Sequence, residues 1–67
     1  MKNYIAENLS LTLLDKKEKS FERVQQFYII GNFLVVSAIP LLPERGNVLV
    51  TERFRHDEIS SVLIIFN

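Results

Sequence analysis

The chain has no cysteine, no tryptophan, a single histidine, two glycines and two prolines in 67 residues. Without cysteine it forms no disulfide and no thiolate zinc site. One histidine cannot build a metal cage alone, so neither a metal nor any other cofactor is expected. Acidic and basic residues balance at eight each, which removes any whole-chain field that would draw the protein to nucleic acid. No run reaches the ~18–20 apolar residues of a membrane helix. Met1-Lys2-Asn3-Tyr4 opens no apolar stretch long enough for a signal peptide, so a cytoplasmic protein without membrane contact is expected.

What remains is short, and 48% of it is hydrophobic. A chain of this size buries only roughly 60% of the surface that it exposes when unfolded. With disulfides and metal excluded, oligomerisation is the expected support. A lead-in over residues 1–8, with one helical turn or an unstructured stretch at 3–8, precedes one domain at 9–67.

Leu9, Leu11 and Leu13 alternate with Ser10 and Thr12, the period of a half-buried strand. Asp15-Lys16-Lys17-Glu18-Lys19 reads as a turn. Residues 20–30 carry two patterns. Phe21, Val24, Phe27 and Tyr28 lie at helix spacing, with Gly31 as a C-cap; Phe27-Tyr28-Ile29-Ile30 suits a long bent strand. Phe33 to Ile39 reads as a buried strand ended by Pro40. Pro43-Glu44-Arg45-Gly46-Asn47 is turn-like. Val48 to Phe54 is a further strand, with Val48, Val50, Glu52 and Phe54 on one face. Ile59 to Phe66 is the last. Val62-Leu63-Ile64-Ile65-Phe66 is apolar at consecutive positions, so both faces of that strand need cover, and its edge predicts pairing with another chain.

Two segments carry a family resemblance. Val24-Gln25-Gln26-Phe27-Tyr28-Ile29-Ile30-Gly31-Asn32-Phe33-Leu34-Val35-Val36-Ser37-Ala38 resembles the first motif of the Sm family, with Phe27 at its aromatic, Asn32 at its asparagine and Ala38 at its alanine. Arg55-His56-Asp57-Glu58-Ile59 is similar to the second motif, and Phe54-Arg55-His56 followed by Ile59 is similar to the Hfq branch. Leu11-Thr12-Leu13 with Asp15-Lys16-Lys17 looks like the family's first strand and acidic turn. The likeness spans roughly residues 9–65. The chain departs from the pattern at Tyr28 (usually aspartate), Gly31 (usually methionine), His56 (usually glycine) and Glu22, which stands where the second strand normally has its bend-permitting glycine.

The resemblance implies an all-β fold, a small, strongly bent five-stranded open barrel. It also implies a homo-oligomeric ring of six or seven copies. The fourth strand, with Val50 and Phe54, would pair with the next copy's fifth strand, with Val62 to Phe66. It implies single-stranded RNA binding in a chaperone or scaffold role, at Tyr28, Asn32, Arg55, His56 and Asp57. In that site Asp57 would fix the loop geometry. The other four also have a plainer reading: Asn32 as a turn partner of Gly31, Tyr28 as a core or interface aromatic, Arg55 as a solvated charge, and His56 as structural or solvated.

Catalysis is not expected, because there is no glycine-rich phosphate loop, no nucleophilic cysteine and no triad spacing. The competing expectation is an α+β module with a helix at about 16–30 on a three-stranded meander. Such a protein-interaction or viral accessory module would bind no RNA.

Overall fold

The computed structural model describes residues 3–67. Five strands follow one another: β1 (Ala6–Leu13), β2 (Glu18–Ile30), β3 (Phe33–Leu42), β4 (Val50–Arg55) and β5 (Ile59–Phe66). A single 3₁₀ turn, His56–Glu58, joins β4 to β5. All pairings are antiparallel, in the order β4-β3-β2-β1-β5, and the sheet does not close on itself. The expected all-β, five-stranded open architecture is therefore present. The α+β alternative is overturned, because residues 18–30 form one strand with no helix. The N-terminal helical turn is also overturned over the described residues, since β1 already begins at Ala6; residues 1 and 2 lie outside the described residues. Among the described residues no helix is long and apolar enough to cross a membrane.

The helix-like spacing of β2 has a different origin. In a regular strand, residues three apart point to opposite faces. Yet Phe21 and Val24 are both fully buried in one core. The pairing explains this: Glu22 faces Ile39 and Gln26 faces Ser37, so Arg23, Val24 and Gln25 together oppose Ala38 alone. The extra residues break the alternation and bend the strand. Arg23 takes the left-handed conformation there, with φ 52°. The bend thus sits at a non-glycine residue next to Glu22, the position where the family resemblance places a glycine.

Bending β2 curls the sheet over its own inner face. Ala6, Leu9 and Leu11 of β1, Phe21 and Val24 of β2, Leu34, Val36 and Ala38 of β3, and Phe54 of β4 form the core. Phe21 meets Phe54 edge to face, with ring centroids 6.1 Å apart. Phe54 was expected as an interface side chain; at 9% exposure it belongs to the core instead.

The turns follow local chemistry. Between β1 and β2, Leu13 donates to the Lys17 carbonyl at 2.8 Å and Lys16 donates to the Leu13 carbonyl at 2.9 Å. The Asp15 carboxylate accepts from the Lys17 amide at 3.1 Å. Lys16 has φ 69°, which gives a three-residue hairpin loop with a left-handed last residue. Between β2 and β3 the loop is Gly31-Asn32 alone, and Gly31 supplies φ 59° at the first position, the pattern of a II′ turn.

Pro40 does not end β3, which runs on to Leu42. Its carbonyl accepts from Gly46 at 2.9 Å, on the side away from β2. The missing N–H faces that same side, where the β4 ladder has already stopped at the Ala38–Val50 pair. Gly46 packs on the proline ring, where an added Cβ would lie 3.1 Å from Pro40 Cδ. The fourth strand is shorter than expected: Val48 and Leu49 are exposed loop residues before its start.

The bend makes a direct prediction. A left-handed L-residue costs about 1–2 kcal/mol, and glycine removes that cost while adding unfolded-state entropy. Arg23→Gly should leave stability unchanged or raise it by up to about 1 kcal/mol, whereas Arg23→Val, β-branched and so a true outlier in the left-handed region, should lower it by about 1 kcal/mol, both by urea denaturation. A loss of more than about 1 kcal/mol in Arg23→Gly would show that the side chain, rather than the backbone, holds the bend.

Candidate functional site

The β2–β3 turn and the 3₁₀ turn meet at one end of the sheet. The His56 amide donates to the Asn32 carbonyl at 2.8 Å, and the ladder continues from there through the Phe33–Arg55 pair. Four of the five residues named from the sequence, Asn32, Arg55, His56 and Asp57, are gathered by this junction, and all four are exposed. Tyr28 lies two positions back from the tip of β2, paired with Val35, and is 46% exposed.

Arg55 Nη2 donates to Asp57 Oδ2 at 3.1 Å, with both side chains more than half exposed. An exposed pair of this kind contributes roughly 0–1 kcal/mol. It orients the guanidinium at little cost to exchange with another anion. The cluster therefore presents an amide, an imidazole and a guanidinium beside an exposed phenol ring. Such groups suit planar polar ligands with negative charge nearby.

On the inner side of the same end, Phe27, Ile29, Leu34, Ile59, Val62 and Ile64 line an apolar groove of about 500 Å³, with Tyr28 and His56 at its rim. Ile29, Leu34 and Ile59 were not named as site residues from the sequence. Only the register shows that they share a face with Phe27 and Ile64.

The two open edges differ in character. In an antiparallel ladder, hydrogen-bonded and non-hydrogen-bonded pairs alternate. The His56–Asn32 bond fixes the phase, so Arg55, Arg53 and Thr51 belong to non-hydrogen-bonded pairs with β3. Their backbone N–H and C=O groups face the open edge of β4. The Ser37–Thr51 hydroxyl contact at 2.9 Å agrees with the closer approach of such a pair.

At the other edge, β5 is apolar on both faces. Val62 and Ile64 pair with Leu11 and Leu9 and point inward; Leu63 and Ile65 pair with Ser10 and Asn8 and point outward. Val62, Leu63, Ile65 and Phe66 are exposed, Ile64 is half-buried, and Phe66 lies 6.1 Å from the Phe27 ring. Val50 on β4 is half-buried.

The ring contact of Arg53 was not legible in the sequence either. Its guanidinium carbon lies 5.4 Å from the centroid of the Phe33 ring, a cation–π contact between residues on neighbouring strands. No spacing rule joins Arg53 to Phe33 until the β3–β4 register is known.

No family model, curated protein or solved structure matches this chain.

Proposed function

We propose that the chain assembles with copies of itself into a closed ring, joined through β4 of one copy and β5 of the next, and that the loop cluster of each copy binds unpaired RNA in the cytoplasm. The observation that carries this reading is the strand order β4-β3-β2-β1-β5, which leaves two unlike open edges on a chain too small to cover them. An uncovered apolar edge strand is an aggregation hazard unless another strand pairs with it. Two unlike edges make a head-to-tail contact, and such a contact ends only when rotation closes it into a ring.

The junction of Asn32 with His56 supports the RNA half of the proposal. An asparagine amide hydrogen-bonds a base edge, and unpaired bases present those edges freely. Tyr28 offers a stacking surface, and Arg55 meets phosphate or stacks. One copy supplies few contacts, and the ring multiplies them through effective concentration. The resemblance to the Sm family points the same way.

A second reading takes its support from the apolar groove beside β5. There a strand from a different protein, rather than a copy, pairs with β5 and lays side chains into the groove. It predicts a solitary chain without its partner and no RNA binding.

Native mass spectrometry separates these readings. The expected mass is a sixfold or sevenfold multiple of 7.8 kDa. Thr51→Pro removes a backbone donor aimed at the open edge, so it should reduce the mass to one chain while the far-UV sheet signal persists. A single-chain mass for the unaltered protein at micromolar concentration ends the ring proposal.

Binding is read by filter retention of uridine-rich and adenine-rich oligonucleotides at low salt. Asn32→Ala and Arg55→Ala should each weaken it about tenfold, in line with about 1–3 kcal/mol per base contact. Absence of binding by the unaltered protein ends the RNA proposal, whatever the mass.

A further inference from the structure

The register of β2, β3 and β4 lays side chains in rows across the outer face of the sheet, the face turned away from the core. One row is Ile30, Phe33 and Arg55; the next is Tyr28, Val35 and Arg53. A third row beyond them is polar and uncharged. Two aromatic rings and two guanidinium groups thus share one face, and none of the three rows carries a carboxylate. Tyr28 is exposed, Arg53 lies over the Phe33 ring, and Val35, only 3% exposed, is the floor between Tyr28 and Arg53.

We propose that this face is a second stretch of the RNA path, over which a strand leaving the Asn32–His56 junction continues. The inference rests on the RNA reading given above and extends that site from Tyr28 and Arg55 to Phe33 and Arg53, which that reading does not include. Bases stack on Tyr28 and on the Phe33–Arg53 pair, and phosphates meet Arg53 and Arg55. The argument for this occupant is complementarity. The face offers a polyanion the Arg53 guanidinium, which no carboxylate of the rows neutralises, and the Arg55 guanidinium, held by the exposed Asp57 carboxylate alone, and it offers rings to planar bases. Neighbouring rows lie about 6.8 Å apart along the strands, a step that suits successive unstacked nucleotides. A protein strand cannot add here by hydrogen bonding, because the backbone of β3 is already paired on both sides. The Arg55–Asp57 pair is exposed and exchanges readily for phosphate.

The test uses the full chain and fluorescence anisotropy with labelled single-stranded oligonucleotides of about 4 and about 12 nucleotides. Arg53→Gln should weaken the longer one about fivefold to tenfold and leave the shorter one within about twofold, whereas Asn32→Ala weakens both. Photo-crosslinking of the unaltered protein with 5-bromouridine oligonucleotides should mark Phe33, which the loop site does not include, a result that needs no variant to fold. If Arg53→Gln binds both lengths like the unaltered protein while Asn32→Ala does not, the outer-face path is wrong and the loop site stands. If neither length binds the unaltered protein, both proposals fall. A changed native mass for Arg53→Gln would make the face a contact between copies and overturn the path.

Discussion

Bending β2 is the constraint on which the rest of the structure depends. A single sheet with no helix to cover it has to bury its inner face against itself. It does so by placing three β2 residues opposite one β3 residue, with Arg23 left-handed at the turn of the strand. That local distortion brings Phe21 and Val24 to the same side and lets Phe54, on the far edge strand, reach Phe21 across the interior. The core is therefore a product of the bend as much as of hydrophobicity. A straight strand with the same side chains would put Val24 on the opposite face from Phe21.

The same curl decides what stays open. β4 and β5 end up as the two outer strands, and their chemistry is unequal. The open edge of β4 carries Thr51, Arg53 and Arg55, polar side chains of the kind that keep an exposed edge soluble. β5 has no such protection between Val62 and Phe66, and its apolar residues point to both faces. One edge thus carries polar side chains while the other exposes apolar ones, and the apolar groove lies beside the latter. This asymmetry favours head-to-tail association over a symmetric pair of like edges.

Much of this was legible in the sequence, and the rest was hidden for identifiable reasons. The alternation of Leu9 and Leu11 and the apolar runs of β3 and β5 read correctly, because strands of period two leave that signature. The stretch Phe21, Val24, Phe27 imitated a helix because interrupted alternation produces a spacing of three. Pro40 misled as a strand end because proline is excluded only where the ladder needs its N–H, and here the β4 ladder has already ended on that side. Asn32, Arg55, His56 and Asp57 were grouped only through the resemblance of their two segments to one family's motifs, and the structure does bring them to one junction. Phe33 with Arg53, and Ile29 with Ile59, were not grouped, since each pairing depends on a register that no single segment encodes.

The neutral net charge makes assembly and binding one question rather than two. A solitary copy offers a single tip, with Arg55 partly satisfied by Asp57 and Arg53 engaged with Phe33. Phosphate attraction normally supplies much of the affinity for nucleic acid, and one such tip has little of it. Repetition in the proposed ring would change the balance, because each added copy would bring its amide, guanidinium and aromatic groups to a ligand already held by its neighbours. In the proposed ring, an RNA site of this composition would gain its strength from the number of copies that present it. The apolar β5 edge, remote in chemistry from any base or phosphate, would then set that number.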